Sequence, residues 1–128
     1  MIRMALAAFM AAFLVVGVAS ADDLRIEFDP PTSREDGTAL DPATEIAHYT
    51  VYCRAGDTYP DTGYEIPGQT ETGEHATTYE SLLAERGRYT CAMTATDTDG
   101  RESQRSNEVE LSWLDQPGEP TSVIIVTD

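Results

Sequence analysis

Cys53 and Cys91 are the only thiols in 128 residues, and an acidic turn, Asp97-Thr98-Asp99-Gly100 with Glu102 beyond it, follows the second. A cysteine pair can bridge, ligate a metal or cycle electrons, and its surroundings decide which. No Cys-x-x-Cys or histidine-rich spacing accompanies this pair, and no helix start or cationic cluster is at hand to lower a thiol pKa. A structural disulfide is therefore expected. Asp97, Asp99 and Glu102 are candidate calcium ligands, because hard cations take several carboxylate oxygens and a glycine permits the sharp turn. A full calcium loop supplies more ligands over about twelve positions, and Asp-Gly is already a good hairpin turn. His48 and His75 are too few and too scattered for zinc. No Gly-x-Ser-x-Gly, phosphate loop or dinucleotide fingerprint is present, and no carboxylate pair stands out among 23 acids. The chain reads as non-catalytic and without a cofactor.

The redox setting comes from the first residues. Arg3 precedes an uncharged apolar stretch, Met4 to Val18, which runs into Ala19-Ser20-Ala21. A positive start, an apolar middle and a small-x-small end make a secretory leader, residues 1–21, with cleavage expected after Ala21. What remains is 107 residues, one ordinary domain with no membrane span and an address in the periplasm or outside the cell. All eight basic residues are arginines; without Arg3, seven face 23 acids, a formal charge of −16. Such a surface repels phosphate backbones, which excludes nucleic acid as a partner.

Apolar residues from Leu24 onward recur with a period of two, the spacing of half-buried strands. Leu24, Ile26 and Phe28 alternate with polar residues until Asp29-Pro30-Pro31 ends the run, and "TSREDGTALDPAT" follows as a turn-rich segment. Tyr49, Val51 and Cys53 then share one strand face. Strands are also expected around Tyr64 to Ile66, over "ATTYESL", along Tyr89-x-Cys91-x-Met93-x-Ala95, and along Val109-x-Leu111-x-Trp113. No stretch of helical period and length competes. Short strands separated by turn signals predict an all-β, antiparallel two-sheet sandwich.

Three of these segments carry a family resemblance. "LRIEFDPPTSREDGTALDPATEIAHYTVYCRAG", "LAERGRYTCAMTATDTDG" and "ESQRSNEVELSW" resemble the B-to-C, F and G segments of a fibronectin type III domain, over about residues 24–113. The matching features are the Pro-Pro after strand B, the Asp-Gly turn before strand C, the Tyr-x-Val of strand C, the Leu-spacer-Gly-x-Tyr approach to strand F, and the serine and asparagine that open strand G. Phe28 stands where the family usually has tryptophan. The resemblance implies a tyrosine corner at Tyr89, whose hydroxyl bonds back to upstream backbone over either Leu82 or Leu83. The family's integrin-binding Arg-Gly-Asp is not carried over, since the F-to-G turn here reads Asp99-Gly100-Arg101.

In such a sandwich strands C and F are antiparallel neighbours. Setting Val51 opposite Met93, the centres of the two apolar runs, puts Tyr49 opposite Ala95 and Cys53 opposite Cys91. Facing residues have Cα atoms about 4.5 or 5.5 Å apart, which suits a disulfide.

The resemblance leaves strand A unaccounted for, because only Asp22 and Asp23 separate the expected cleavage site from Leu24. After the domain proper, residues 22–113, the stretch 114–128 brings a Pro-Gly-x-Pro linker and Val123-Ile124-Ile125-Val126, which resembles a linker and strand A. The expectation is that residues 122–127 fill the vacant place beside strand B, within the chain in preference to donation to a neighbour. Functionally, the resemblance implies an exported interaction or adhesion module that shows its B-to-C, C-to-C′ and F-to-G loops to a protein or glycan. Tyr52, Tyr59, Tyr64 and Arg101 are the candidate contacts, as tyrosine and arginine are enriched at binding surfaces. Two rival roles remain open: an assembly subunit of a surface fibre or virion coat, self-associating through Val123 to Val126, and a calcium-dependent adhesion unit.

Overall fold

The computed structural model describes residues 14–18, 23–68, 73–114, 117 and 120–127, with the backbone alone for 15–18. The remaining residues of the expected leader, including the expected cleavage site, lie outside the described residues. Seven strands occur among them: β1 (Leu14–Val18), β2 (Asp23–Phe28), β3 (Ile46–Arg54), β4 (Tyr64–Pro67), β5 (Glu74–Thr78), β6 (Gly87–Asp97) and β7 (Val109–Trp113). They form two antiparallel sheets, a three-stranded one in the order β1-β2-β5 and a four-stranded one in the order β4-β3-β6-β7.

Alternation along each strand decides which side is covered. On β2, Leu24, Ile26 and Phe28 are buried while Asp23 and Arg25 are exposed. Tyr49 and Val51 of β3, Ile66 of β4, Met93 of β6 and Leu111 of β7 complete the space between the sheets. Phe28 lies with its ring centroid 4.6 Å from that of Tyr49, so the smaller ring at the family's tryptophan position still fills the centre. The register of β3 on β6 is the expected one, with Tyr49 facing Ala95, Val51 facing Met93 and Cys53 facing Cys91. One irregularity, between Ile46 and His48, bends the start of β3. Gly73, at φ +66°, opens β5 where its N-terminal approach presses on β2; a Cβ there would sit 2.0 Å from the carbonyl oxygen of Phe28.

Three expectations are corrected. The "ATTYESL" segment is only half strand: Thr78 accepts a hydrogen bond from the Ser81 N–H and caps a single helical turn, α2 (Tyr79–Leu82). A matching turn, α1 (Pro42–Glu45), precedes β3, capped by Asp41 with a proline in its first position. The strand A place is not vacant. Leu14–Val18, from inside the expected leader, occupies it, with Leu14, Val16 and Val18 in register with Phe28, Ile26 and Leu24. Leu14 is fully buried, and the Asn107 side chain clamps it by accepting from its N–H at 2.9 Å and donating to its C=O. Residues 122–127 therefore do not replace strand A in the full-length chain. Val123, Ile124, Ile125 and Val126 form no strand and are 70 to 87% exposed. The physical reason is that Leu14–Val18, apolar and rich in valine, satisfies the open edge of β2 as a dedicated strand would.

Candidate binding surface

The disulfide fixes the frame on which the surface stands. Cys53 and Cys91 are bonded, with Cα atoms 4.1 Å apart, and join the end of β3 to the middle of β6. Just upstream, Tyr89 donates its hydroxyl to the Glu85 carbonyl at 2.7 Å, while Leu83 is buried in the core and Leu82 is partly buried beside it. Both features hold the approach to β6, so the outward side chains of that strand have fixed positions.

On the outward face of β3 and β6 sits a ladder of tyrosine, arginine and glutamate. Tyr52 donates to Glu102 at 2.6 Å, and Thr94 donates to the same carboxylate oxygen at 2.7 Å. Tyr59, from the loop after β3, donates to Glu108, which also pairs with Arg54 at 3.1 Å. Arg105 lies over both tyrosines, 4.4 Å from the Tyr59 ring centroid and 5.9 Å from that of Tyr52. Arg54 covers Tyr59 as well, at 5.2 Å. Each pairing is electrostatically self-consistent: guanidinium on ring face, hydroxyl on carboxylate. Thr94 and Tyr52 hold Glu102 below the usual carboxylate range, and Glu102 in turn pushes Tyr52 up. Tyr59 and Arg54 lower Glu108, and Tyr59 is raised chiefly by burial.

Arg105 owes its place to two serines. Ser103 and Ser106 each give a backbone N–H to β6, at Ala95 and Met93, and each accepts the return bond with its hydroxyl at 2.9 Å. A side chain thus stands in for a strand carbonyl at two positions. A polar cleft of about 270 Å³ opens beside the ladder, lined by His48, Tyr52, Asp61, Glu65 and Glu102. A larger one, about 520 Å³, lies beside the disulfide between β4 and α2.

The other candidate residues are distributed differently. Tyr64 is turned between the sheets, partly buried against the core, where its hydroxyl is 2.8 Å from Nε2 of His75. It does not join Tyr52 and Tyr59. Arg101 is in the turn after β6, bonded to Asp97 and Asp99. The calcium trio is not brought together. Asp97 is buried and already full: it accepts from the N–H groups of Asp99 and Arg101 and from the guanidinium groups of Arg34 and Arg101. The Arg101 N–H first, and then Arg34, lower its pKa to about 2. Glu102 is committed to Tyr52 and Thr94. Among the described residues no cluster of three His, Cys, Asp or Glu is placed to hold a metal ion.

The loops are also partitioned otherwise than expected. Arg34 bridges Glu45 and Asp97, and the Thr98 N–H bonds to the Glu45 carbonyl, so the B-to-C loop and the F-to-G turn are tied together at one end of β3. The C-to-C′ loop leaves from Arg54, at the other end, and folds back over the outward face through Tyr59. Arg34, Arg54, Arg105 and Glu108 were not singled out from the sequence. Their partners lie 49 to 63 positions away for Arg34–Asp97, Arg54–Glu108 and Tyr59–Glu108, and no local spacing signals such pairs.

Comparison with solved structures decides the fold. The third fibronectin III domain of the human KIAA0343 protein superposes with a TM-score of 0.50 at 13% identity, covering 86% of this chain and 85% of that one. The fold is fibronectin type III-like. A fibronectin type III domain of human fibronectin type III domain containing protein 3 matches at 22% identity with a TM-score of 0.48, over 88% of this chain and 89% of that one. A polysaccharide deacetylase from Bacillus cereus matches at 9% identity with a TM-score of 0.50, over 81% of this chain, which spans 30% of the deacetylase's length. No family profile and no curated protein matches the chain. With identities this low, the fibronectin type III-like comparison establishes the architecture, and the surface chemistry is this chain's own.

Proposed function

We propose that the chain is an exported, non-catalytic binding domain of adhesion type, which docks a protein or glycan on the outward face of β3 and β6. The ladder of Tyr52, Arg105, Tyr59 and Arg54 supports this reading. Two amphipathic rings and two guanidinium groups are pre-positioned by Glu102 and Glu108, so little side-chain entropy is lost when a partner covers them. Enrichment of tyrosine and arginine is the mark of protein interfaces, which favours a protein over a glycan. Export is supported by the leader pattern and by a disulfide that persists in oxidising compartments. Among the described residues no helix is long and apolar enough to cross a membrane.

The test is capture by the isolated exported protein from its native envelope fraction, in parallel with a Tyr59→Ala/Arg105→Ala variant. A partner held by the wild type and lost by the variant is expected. Equal capture by both, with the variant's melting temperature unchanged, would place the binding surface elsewhere.

A further inference from the structure

The strand place beside β2 is filled in this structure by residues that the leader pattern marks for removal. Cleavage after Ala21 would take β1 away entirely and uncover the edge of β2 along Leu24–Phe28. Leu24, Ile26 and Phe28 would lose the neighbour opposite each of them, and Asn107 would lose both of its bonds to Leu14. An open apolar edge is a template for another strand. The same chain carries four consecutive β-branched residues, Val123 to Val126, standing 70 to 87% exposed.

We propose that in the cleaved protein this place is taken by Val123–Val126 of a second copy. Direction favours the neighbour. An occupant antiparallel to β2 must enter beside Phe28 and Asn107 and leave beside Leu24, as β1 does. The chain's own tail departs after Trp113, at the opposite end of β7 from Asn107, and would have to double back over about 20 Å of strand before entering. The intervening Pro117 and Pro120 fix extended backbone and lack ladder donors, so they carry the tail outward as a spacer. Backbone hydrogen bonds supply the attachment, and alternate apolar side chains cover the core positions. The inference rests on leader cleavage and is independent of the outward ladder.

The experiment uses protein exported from the full-length gene. Its intact mass reports first whether residues 1–21 are gone. Retention of the leader would overturn both the cleavage reading and this proposal, whatever the partner capture shows. With the leader removed, native mass spectrometry at rising concentration should give multiples of the 107-residue chain. An Ile124→Asp/Ile125→Asp variant should give only monomer while keeping its β-sheet circular dichroism and its disulfide. Wild-type monomer at every concentration would overturn the proposal, whether the tail is free or protected from hydrogen exchange. Multiples that persist in the tail variant would overturn it as well.

Discussion

The two sheets of this sandwich are held by different means. The four-stranded sheet has its longest strands, β3 and β6, bonded covalently at Cys53–Cys91 and stapled to the next segment by Ser103 and Ser106. The three-stranded sheet has short strands and no covalent link, and one of its edges is a segment that the sequence marks as a leader. Bracing sits where the tyrosine–arginine ladder sits, and the edge that leader cleavage would open sits on the other layer. A binding surface needs the first, and assembly by strand transfer needs the second.

The largest expected effect is on the rigid layer. Closing a loop of 38 positions constrains the unfolded chain by about 4 kcal/mol, so a Cys53→Ala/Cys91→Ala variant should lose a large share of a small domain's margin of about 5 to 15 kcal/mol in urea unfolding. A loss under about 1 kcal/mol would remove the contrast between the sheets. Next comes the lock at the end of β6. Asp97 is lowered from 3.8 to about 2, so its contribution is complete above about pH 4 and disappears as pH falls toward 2. Unfolding midpoints measured across that window should fall steeply in the wild type and much less in Asp97→Asn, which starts from a lower value. Tyr89→Phe, which removes the bond to Glu85 at an exposed site, should cost about 1 kcal/mol, read from denaturant midpoints.

A smaller effect tests the join between the layers. Burial lowers His75 below 6.5, so the folded protein prefers it neutral, and stability should decline as pH falls through 6.5. That decline should be absent from His75→Gln. The smallest effect has the opposite sign. The Tyr49 hydroxyl is buried without a hydrogen-bond partner among the described residues, and burial pushes its pKa up to about 12. Tyr49→Phe should therefore leave stability unchanged or raise it by up to about 1 kcal/mol, measured as a higher urea midpoint.

The sandwich was legible because its determinants are local. Alternation at Leu24-x-Ile26-x-Phe28 and Tyr49-x-Val51-x-Cys53 names the inward faces, and matching the centres of two apolar runs was enough to set Cys53 opposite Cys91. The choice of first strand was not legible, because Leu14–Val18 and Val123–Val126 are nearly equivalent in hydrophobicity and β-branching. Only the path of the chain between them distinguishes the two. The ladder was half legible: Tyr52 and Tyr59 stand out by type, but Arg54, Arg105 and Glu108 acquire meaning only when the segment leading into β7 is brought across β6 within reach of β3 and the loop after it. Asp97 shows the converse. A carboxylate beside Asp-Gly looks like a cation ligand until Arg34, 63 positions earlier, is seen to hold one of its oxygens while the N–H groups of Asp99 and Arg101 hold the other.

Ser103 and Ser106 are three positions apart, yet they are anchored to Ala95 and Met93, which are two apart. The surplus residue has nowhere to go except outward, which is why Gln104 and Arg105 are raised from the sheet. Chain length between those anchors is thus decoupled from strand pairing. Extra residues spliced between Gln104 and Arg105 would enlarge this loop without shifting β6, which makes it a natural graft point for altering the proposed binding face.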